Sequence, residues 1–483
     1  MKLSQLLEAF PEYQGIKNDT QVTGLHYDSR KIEPDNIFVA IRGHKTDGHN
    51  YISQAIENGA CAVVAESESN IQSKAIWIRV ANSRQALANL ANKYFGNPSN
   101  KLCLIGITGT NGKTTTAYLV ENILKANGLS TGVISTIDYR YHDRAFPNPL
   151  TTPESLDLQR ILHEMTSNGI THVVMEVSSH SLALDRVMGC AYDVVVFTNL
   201  SQDHLDFHET MNDYWHCKQR LFGPPYISQK QHAHAVINCD NKFGLALYPK
   251  VQIPQILIGT HETNDVSCQD PKISLSGMSG SIETPKGPVS LKSFLTGQHN
   301  LQNILCATGV GIALEIPIAD ISSGISQTSC IPGRLERLSA FSDRFVFVDY
   351  AHTPDALENV IQCILQFKTR RLITVFGCGG DRDRGKRPLM GKVASSLSDL
   401  CIVTSDNPRS EPPEAIIHDI CKGINSDALY KIEIDRKKAI EMAIHESCSG
   451  DVVLIAGKGH ETYQILKDRT IEFDDRVCAL SVR

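Results

Sequence analysis

Short apolar runs recur along the chain, and stretches with the spacing of an amphipathic helix separate them. In the first hundred residues the runs are 36–41 and 60–65, with a helical stretch at 51–58 between them. This pattern predicts a small α/β domain. The segment 95–100 is rich in turn-forming residues and is a natural linker, so the first domain is predicted to cover residues 1–98.

The middle of the chain repeats a strand-then-helix rhythm. Residues 102–107 are uninterrupted apolar, as a strand buried on both faces requires. A helix is predicted from Thr114, with Gly128 as its stop, and residues 171–177 and 192–197 are predicted to be further buried strands. Alternating strands and helices indicate a doubly wound parallel sheet, and we assign this domain to residues 99–332.

A second turn-rich stretch, 331–334, precedes a third unit that also alternates strands and helices. Its predicted strands are 345–348, 372–376, 400–404 and 452–455. The fold class is therefore α/β with three domains, and the third, Rossmann-like domain covers residues 333–483.

Composition excludes several functional classes for these 483 residues. The formal net charge of −6 leaves no basic excess for binding nucleic acid. No apolar run reaches the roughly 18 residues of a membrane span, and the N-terminus lacks the pattern of a signal peptide. The fourteen cysteines are scattered without a C-x-x-C pair, which is typical of reduced, mostly buried thiols in a cytoplasmic protein.

The clearest motif is a glycine-rich loop between a predicted strand and helix. Glycines let the backbone wrap around phosphate oxygens, while helix N-terminal amides face the anion. Lys113 would reach the β- and γ-phosphates, and the Thr114 hydroxyl could ligate magnesium. Ile107 stands where the general P-loop pattern has glycine. The predicted nucleotide-binding residues are Gly109, Thr110, Asn111, Gly112, Lys113, Thr114 and Thr115.

Three further side chains lie at or beyond the carboxyl ends of predicted strands, where parallel sheets bind ligands. Glu176 closes an apolar strand, so either a metal or a structural ion pair could balance its charge. His204 follows the next strand and could be an ordinary surface histidine. Lys218 lies one helix later and could be a solvated lysine. The residues alone leave these alternatives open.

Two competing classes of site find no support. The sequence contains no H-E-x-x-H motif and no cysteine pair, which argues against zinc hydrolysis. The glycines at 377–380 do not continue into a dinucleotide fingerprint, because Arg382 stands where the next glycine is required.

The loop Gly109-Thr-Asn-Gly-Lys-Thr resembles the ATP loop of the Mur ligase family, which includes folylpolyglutamate synthetase. Separated motifs extend this resemblance through essentially the whole chain. It implies a three-domain ligase that uses ATP and two Mg²⁺ ions. It also implies that Lys218 carries a carbamate (N6-carboxylysine) and that the catalytic group is Lys113, Glu176, His204 and Lys218. The implied metal ligands are Thr114, Glu176, His204 and carbamylated Lys218.

The resemblance also implies sites for a UDP-linked muramoyl dipeptide. The first domain contributes segments that match the family members adding the third peptide residue, and folylpolyglutamate synthetases lack such a domain. The implied contacts are Tyr27, Ser29, His44, Lys45, Thr46, Thr151, Thr152, Ser178 and Arg186. Some relatives have glutamine where this chain has Leu184, so the chain departs from the family's pattern at that one position.

The third domain carries the motif Asp406-Asn-Pro-Arg409, which resembles that of Mur ligases using meso-diaminopimelate. This substrate is lysine with an extra carboxylate at its far end, and a guanidinium can bind a carboxylate through two parallel hydrogen bonds. The implied amino-acid contacts are Arg382, Asp406, Asn407, Pro408, Arg409, Gly457 and Glu461. Further implied nucleotide contacts are Asn300, Arg334, Asp349 and His352.

Together these matches imply a cytoplasmic, monomeric enzyme of peptidoglycan precursor synthesis. It would join meso-diaminopimelate to the D-glutamyl γ-carboxylate of UDP-N-acetylmuramoyl-L-alanyl-D-glutamate through an acyl phosphate. The alternatives are a lysine-adding relative, against which Arg409 argues, and a folylpolyglutamate synthetase, against which the first domain argues. A non-catalytic scaffold would have no need of the full set of catalytic residues.

Overall fold

A computed structural model describes residues 1–8, 10, 19–43, 46–67, 73–148, 150–205, 207–227, 230–367 and 370–482. The chain divides into two compact units, Met1–Ser267 with Cys306–Ile321 and Cys268–Leu305 with Ser322–Arg483. In the described residues no helix is both long enough and apolar enough to cross a lipid bilayer. All fourteen cysteines are free thiols, and eight of them are buried.

The N-terminal domain is a four-stranded parallel sheet in the order β1-β2-β3-β4. Residues of β2 and β3 are wholly buried because apolar side chains cover both faces of the sheet. The predicted strands and helix of this domain are confirmed. Its elements are α1 (Leu3–Leu7), β1 (Gly24–His26), β2 (Asn36–Val39), α2 (Ile52–Glu57), β3 (Ala62–Ala65), β4 (Ile76–Arg79) and α3 (Ser83–Tyr94).

The middle domain contains a nine-stranded sheet in the order β13-β12-β11-β10-β5-β9-β6-β7-β8. Its elements are β5 (Cys103–Thr108), α4 (Lys113–Ala126), β6 (Thr131–Ile134), β7 (Asp138–Tyr141), β8 (Arg144–Pro147), α5 (Ser155–Ser167), β9 (His172–Glu176), α6 (Ser179–Ala183), β10 (Val194–Phe197), α7 (Met211–Gln219), β11 (His234–Asn238), α8 (Lys242–Leu247), β12 (Gln255–Gly259) and β13 (Val266–Ser267).

Strand β5 is the topological switch point of the sheet, where the strand order reverses. β9 and β6 lie on one side of β5, and β10 to β13 lie on the other, all of them parallel. The register pairs Ile107 with Glu176 and Thr108 with Phe197. The loops after β5, β9 and β10 therefore leave the same edge of the sheet, where open α/β sheets bind ligands.

Two antiparallel additions depart from the purely parallel arrangement that the sequence predicted. Strands β7 and β8 form a hairpin at the end of the sheet, with a turn that includes His142 at φ +50°. The second unit contains a separate antiparallel sheet, β14-β15-β16. These strands are partly exposed, so they lack the uninterrupted apolar runs on which the prediction relied. The additional elements are β14 (Lys272–Ser274), β15 (Gly277–Ile282), β16 (Val289–Ser293), α9 (Gln298–Ala313) and α10 (Ile318–Gln327).

The C-terminal domain is built on a six-stranded sheet in the order β17-β18-β22-β19-β20-β21. Only β17 is antiparallel, and separate apolar clusters cover the two faces. The four predicted strands are confirmed. The elements are β17 (Glu336–Arg337), β18 (Phe345–Asp349), α11 (Pro354–Leu365), β19 (Leu372–Phe376), α12 (Lys386–Leu397), β20 (Leu400–Val403), α13 (Pro413–Cys421), β21 (Tyr430–Ile432), α14 (Arg436–Glu446), β22 (Val452–Ala456), β23 (Tyr463–Ile465), β24 (Thr470–Glu472) and α15 (Asp475–Leu480).

Candidate active site

The phosphate loop joins β5 to α4, and two glycines with positive φ shape it. Gly109 has φ +151°, and a Cβ atom there would lie 1.9 Å from Thr198 Oγ1. Gly112 has φ +85° and is the N-cap of α4, where no side chain caps the helix. The backbone amides of the first helical turn are therefore the groups that an anion would meet at this helix end.

The loop that follows β10 holds the phosphate loop in position. Thr198 Oγ1 donates to Asn111 O at 2.6 Å, and Asn111 N donates to Asn199 Oδ1 at 3.0 Å. Thr110 N donates to Asn199 O at 2.9 Å. The sequence interpretation did not single out Thr198 or Asn199, although both directly follow a buried strand, a position typical of ligand sites in parallel sheets.

Two lysine amines converge on one carbonyl oxygen of the phosphate loop. Lys113 Nζ and Lys218 Nζ donate to Gly109 O at 2.9 and 2.8 Å. Lys218 lies on α7 and is only 1% exposed. Burial, together with the positive charge of Lys113, holds the pKa of the Lys218 amine well below its usual value. The uncharged amine is the form that can react with carbon dioxide.

His204 lies in the loop after β10 and shares an aromatic neighbour with Lys218. The His204 ring centroid lies 6.0 Å from that of Tyr214, and Lys218 Nζ lies 4.7 Å from the Tyr214 centroid. The His204 ring also lies 4.8 Å from the His180 ring, in an edge-on arrangement. The backbone of His204 has φ +55°, a conformation that is uncommon for residues other than glycine and is often found at functional sites.

Glu176 ends β9, and its side chain is wholly buried. Its carboxylate accepts hydrogen bonds from Thr136 N and Thr136 Oγ1, both at 3.0 Å. Within the part of the chain that the structure describes, Glu176 forms no ion pair, and Thr136 supplies the hydrogen bonds to its carboxylate. The sequence interpretation also missed Thr136, because nothing in its local pattern connects it to a strand forty residues later.

The predicted acceptor-site residues of the middle domain adjoin Glu176. Thr152 Oγ1 donates to Glu176 O at 2.8 Å and accepts from Ser178 N at 3.1 Å. Arg186 Nη1 donates to Thr152 O at 3.3 Å. Thr151 Oγ1 lies 3.1 Å from Thr136 Oγ1, within hydrogen-bond distance, so this group of polar side chains is continuous with the Glu176 carboxylate.

The N-terminal domain contacts the same region through polar and charged side chains. Glu154 Oε2 accepts from Arg84 Nη1 at 3.1 Å and lies 3.5 Å from Arg186 Nε. Tyr27 Oη donates to Asp157 Oδ2 at 2.9 Å. Neither Arg84 nor Asp157 was predicted from the sequence, because they become neighbours of the site only through the packing of α3 and α5.

The remaining predicted UDP-sugar contacts lie in loops of the N-terminal domain. Ser29 Oγ donates to Gln54 Oε1 at 2.8 Å, and Thr46 O accepts from Gly43 N at 2.9 Å. His44 and Lys45 lie outside the described residues.

Two loops in the C-terminal domain carry the predicted amino-acid contacts. One follows β20 and contains Asp406, Asn407, Pro408 and Arg409; the other follows β22 and contains Gly457 and Glu461. They meet where Asn407 Nδ2 donates to Glu461 Oε2 at 2.9 Å. Gly457 has φ +116°, and a Cβ atom there would lie 2.8 Å from Asp406 Oδ2, so the close approach of the loops requires glycine.

Backbone contacts on both sides fix Arg409 in position. Its amide donates to Ile465 O at 3.1 Å, and Nη1 donates to Gly380 O at 2.9 Å. Arg409 has φ +53°, so the residue is held in the left-handed region. Arg382 is exposed, and its Cγ lies near the same glycine-rich loop, 3.7 Å from where a Cβ on Gly379 would be.

The four remaining predicted nucleotide contacts belong to the second unit. Asp349 is buried, and its two carboxylate oxygens accept from the amides of Leu335 and Ala351 at 2.5 and 2.7 Å. Burial raises the pKa of Asp349, and the positive charge of Arg334 opposes that rise. Asn300 Nδ2 donates to Thr296 O at 2.9 Å, and Lys386 Nζ donates to the carbonyl of His352 at 2.9 Å.

A buried ion pair supports both amino-acid loops. Arg436 and Asp475 are wholly buried and form two hydrogen bonds of 2.7 Å. The Arg436 guanidinium also donates to Ser405 O at 3.4 Å and Ala456 O at 3.0 Å, one residue before each loop. The pair therefore connects the ends of β20 and β22 to α14 and α15.

Replacing Asp475 with alanine is expected to destabilise the second unit by about 3–5 kcal/mol, because the Arg436 charge would stay buried without its partner. The control is Glu441→Ala, whose exposed carboxylate lies 3.9 Å from Lys437 and should cost less than about 1 kcal/mol. Both tryptophans, Trp77 and Trp215, belong to the first unit, so their fluorescence does not report on the second unit. Unfolding in urea should therefore be followed by hydrogen exchange of the C-terminal strands. Equal effects of the two variants would contradict the supporting role of the pair.

Three family models match successive parts of the chain. Residues 21–95, 107–311 and 333–459 match, respectively, the Mur ligase family catalytic domain, the Mur ligase middle domain and the Mur ligase glutamate ligase domain. A relative from Geobacter metallireducens is 43% identical over 99% of this chain and 97% of its own length. The chain belongs to the Mur ligase family. The resemblance indicated by the motifs is thereby confirmed, together with the three-domain α/β fold.

Two further Mur ligases show how completely this similarity covers the chain. A relative from Solibacter usitatus is 45% identical over 96% of this chain and 94% of its own length. A solved structure superposes with a TM-score of 0.72 at 33% identity, covering 100% of this chain and 99% of the other. All three proteins carry the name UDP-N-acetylmuramoyl-L-alanyl-D-glutamate--2,6-diaminopimelate ligase.

Proposed function

We propose that this Mur ligase joins meso-diaminopimelate to UDP-N-acetylmuramoyl-L-alanyl-D-glutamate at the expense of ATP, within peptidoglycan precursor synthesis. The observation that carries the proposal is identity above 40% over nearly the whole chain to ligases named for this reaction. The guanidinium of Arg409, which donates to Gly380 O and Asn407 O, supports the choice of amino acid. We further propose that the three domains cover residues 1–98, 99–332 and 333–483. We also propose that the enzyme acts in the cytoplasm, because its fourteen cysteines are free thiols and that compartment keeps thiols reduced.

The proposed reaction has two steps. In the first, the γ-phosphoryl group of ATP moves to the D-glutamyl γ-carboxylate, giving an acyl phosphate and ADP. In the second, the amine of diaminopimelate attacks the acyl carbon, the carbon–oxygen bond to phosphate breaks, and the amine loses a proton. Catalysis of this kind rests on positioning and on charge stabilisation rather than on a protein nucleophile.

Residues of the first unit supply the phosphate contacts. The uncapped amides at the start of α4 and the amine of Lys113 bind the triphosphate and stabilise the charge that develops during transfer. Thr151, Thr152, Ser178 and Arg186 bind the acceptor dipeptide next to Glu176. The proposed contacts of the UDP sugar are Tyr27, Ser29, His44, Lys45 and Thr46.

The candidate metal ligands fit magnesium only together with oxygen atoms supplied by the bound substrates. In the residues that the structure describes, no three His, Cys, Asp or Glu side chains cluster as a metal site. Magnesium keeps waters and commonly binds through one or two carboxylates plus substrate phosphates. Thr114, Glu176, His204 and Lys218 as a carbamate would hold the ions, which would neutralise phosphate charge in both steps. The buried Lys218 amine, whose pKa is held below its usual value by burial and by Lys113, suits reaction with carbon dioxide.

The experiment that tests the proposal is an ATP-dependent phosphate-release assay with the UDP-muramoyl dipeptide and either meso-diaminopimelate or L-lysine. We expect turnover with diaminopimelate and a kcat/KM for lysine that is roughly 10³–10⁴-fold lower, because the guanidinium would be left without its carboxylate. Turnover only with lysine would reverse the assignment of the amino acid. Turnover with neither amino acid would remove the proposed function.

A further inference from the structure

The side chain of a wholly buried lysine connects the two amino-acid loops. Lys458 has an exposed fraction of 0%, and it follows β22 by two residues. Its Nζ donates to Glu461 Oε2 at 2.8 Å and to Asn407 Oδ1 at 3.2 Å. Lysine is almost never fully buried unless it is paired, so these two acceptors account for its position.

The hydrogen bonds of Lys458 fix which way the Asn407 amide faces. Asn407 Oδ1 accepts from Lys458 Nζ and from Ile465 N, the latter at 2.9 Å, while Nδ2 donates to Glu461 Oε2. The flipped amide would direct its NH₂ group at two donors, which costs hydrogen bonds at a buried position. Asn407 therefore has one orientation as long as Lys458 is present.

The same contacts decide what Glu461 can offer to a ligand. Oε2 accepts from both Asn407 Nδ2 and Lys458 Nζ, whereas Oε1 accepts no hydrogen bond from any described residue. The Glu461 side chain is 15% exposed, so one carboxylate oxygen remains within reach of a ligand. Lys458 thus binds the Oε2 atom of the Glu461 carboxylate and compensates the negative charge of Glu461.

Lys458 offsets the formal negative charge of Glu461, its ion-pair partner. Of the other charged residues in the two loops, Asp406 and Arg409 carry opposite formal charges, and Glu411 pairs with Arg384 and Arg387 outside the loops. His460 is uncharged near neutral pH, because burial and neighbouring cations lower its pKa to about 4. The far end of meso-diaminopimelate carries one ammonium and one carboxylate and is also neutral, whereas the far end of lysine is a bare cation.

We propose that Lys458 is a specificity-determining positioning residue, which by pairing with Glu461 makes the site match a neutral zwitterionic end group rather than a lone ammonium. This inference rests on the proposed function, because it concerns the choice between two amino acids by the same ligase. Lys458 does not touch the reacting atoms. It acts through Glu461 and Asn407.

The test is the ratio of kcat/KM for meso-diaminopimelate to kcat/KM for L-lysine in Lys458→Met. We expect this ratio to fall at least about tenfold, mainly through a lower KM for lysine, because Glu461 is released to pair with a bare ammonium. The KM for ATP should not change. The control Lys467→Met replaces an exposed lysine of the following hairpin and should leave the ratio unaltered.

A double-mutant cycle separates this role from a merely structural one. If Lys458 acts through the Glu461 charge, Lys458→Met should change the ratio in the parent enzyme but not in the Glu461→Gln background. An equal change in both backgrounds, or no change in either, would overturn the proposal. If the parent enzyme turns over neither amino acid, the proposed function fails, and Lys458 is then tested by calorimetric binding of diaminopimelate and lysine.

Unmodified enzyme provides a second test that does not depend on the folding of a variant. L-2-Aminopimelate has the far carboxylate without the ammonium, and L-lysine has the ammonium without the carboxylate. Because Lys458 already compensates Glu461, we expect L-2-aminopimelate to compete with diaminopimelate at least tenfold better than lysine does. If lysine bound more tightly than L-2-aminopimelate, Lys458 would not be compensating the charge of Glu461.

Discussion

Lys218→Ala is expected to lower kcat by about 10²–10³-fold, the typical loss when one preorganised electrostatic group is removed from a phosphoryl- or acyl-transfer site. The Lys218 amine is buried against the Gly109 carbonyl, and its pKa is held low by burial and by Lys113. These conditions favour the neutral amine that takes up carbon dioxide to form a carbamate. Steady-state kinetics at limiting magnesium measures the effect, which should be larger there than at saturating magnesium.

The control for this prediction is Lys250→Ala, which removes an exposed lysine of the same domain. Stripping carbon dioxide from the parent enzyme should lower its activity, and added bicarbonate should restore it. The activity left in Lys218→Ala should not respond to bicarbonate. Full activity of Lys218→Ala at limiting magnesium would remove the proposed role of this residue.

Arg409→Ala is expected to lower kcat/KM for meso-diaminopimelate by about 10³–10⁴-fold, because the far carboxylate would lose a bidentate partner. The KM for ATP should stay within twofold of the parent value, since Arg409 lies in a loop of the C-terminal sheet and contacts Gly380 O and Ile465 O. Arg409→Lys keeps the positive charge without the planar fork and should recover only part of the loss. Initial rates with each substrate varied in turn separate these effects.

Arg384→Ala is the matched control for Arg409→Ala. Arg384 belongs to the neighbouring loop, its side chain is 70% exposed, and it pairs with Glu411 at 2.9 Å. Its removal should change kcat/KM for diaminopimelate less than twofold. If Arg409→Ala weakens ATP and diaminopimelate equally, Arg409 does not recognise the amino acid.

The strand order along the chain and the loops that carry the site were predictable from local pattern. Residues 102–107 and 171–177 are apolar enough to be recognised as buried strands, and β5 and β9 form there. Because parallel strands end at a common edge, Glu176 and His204 could be selected as candidates without coordinates. The hairpin β7-β8 escaped prediction because its strands are short and half-exposed, so no apolar run marked them.

The sequence by itself determined the family, the three-domain α/β architecture and the loops that carry the candidate site. The periodicity of apolar residues and the motifs at strand ends are local properties, and they can be read over a few residues. Tertiary structure decided the state of individual side chains. Lys218 meets the Gly109 carbonyl across 109 positions of sequence, and Lys458 meets Asn407 across 51. The burial of a side chain and its hydrogen-bond partners depend on neighbours that only folding brings together.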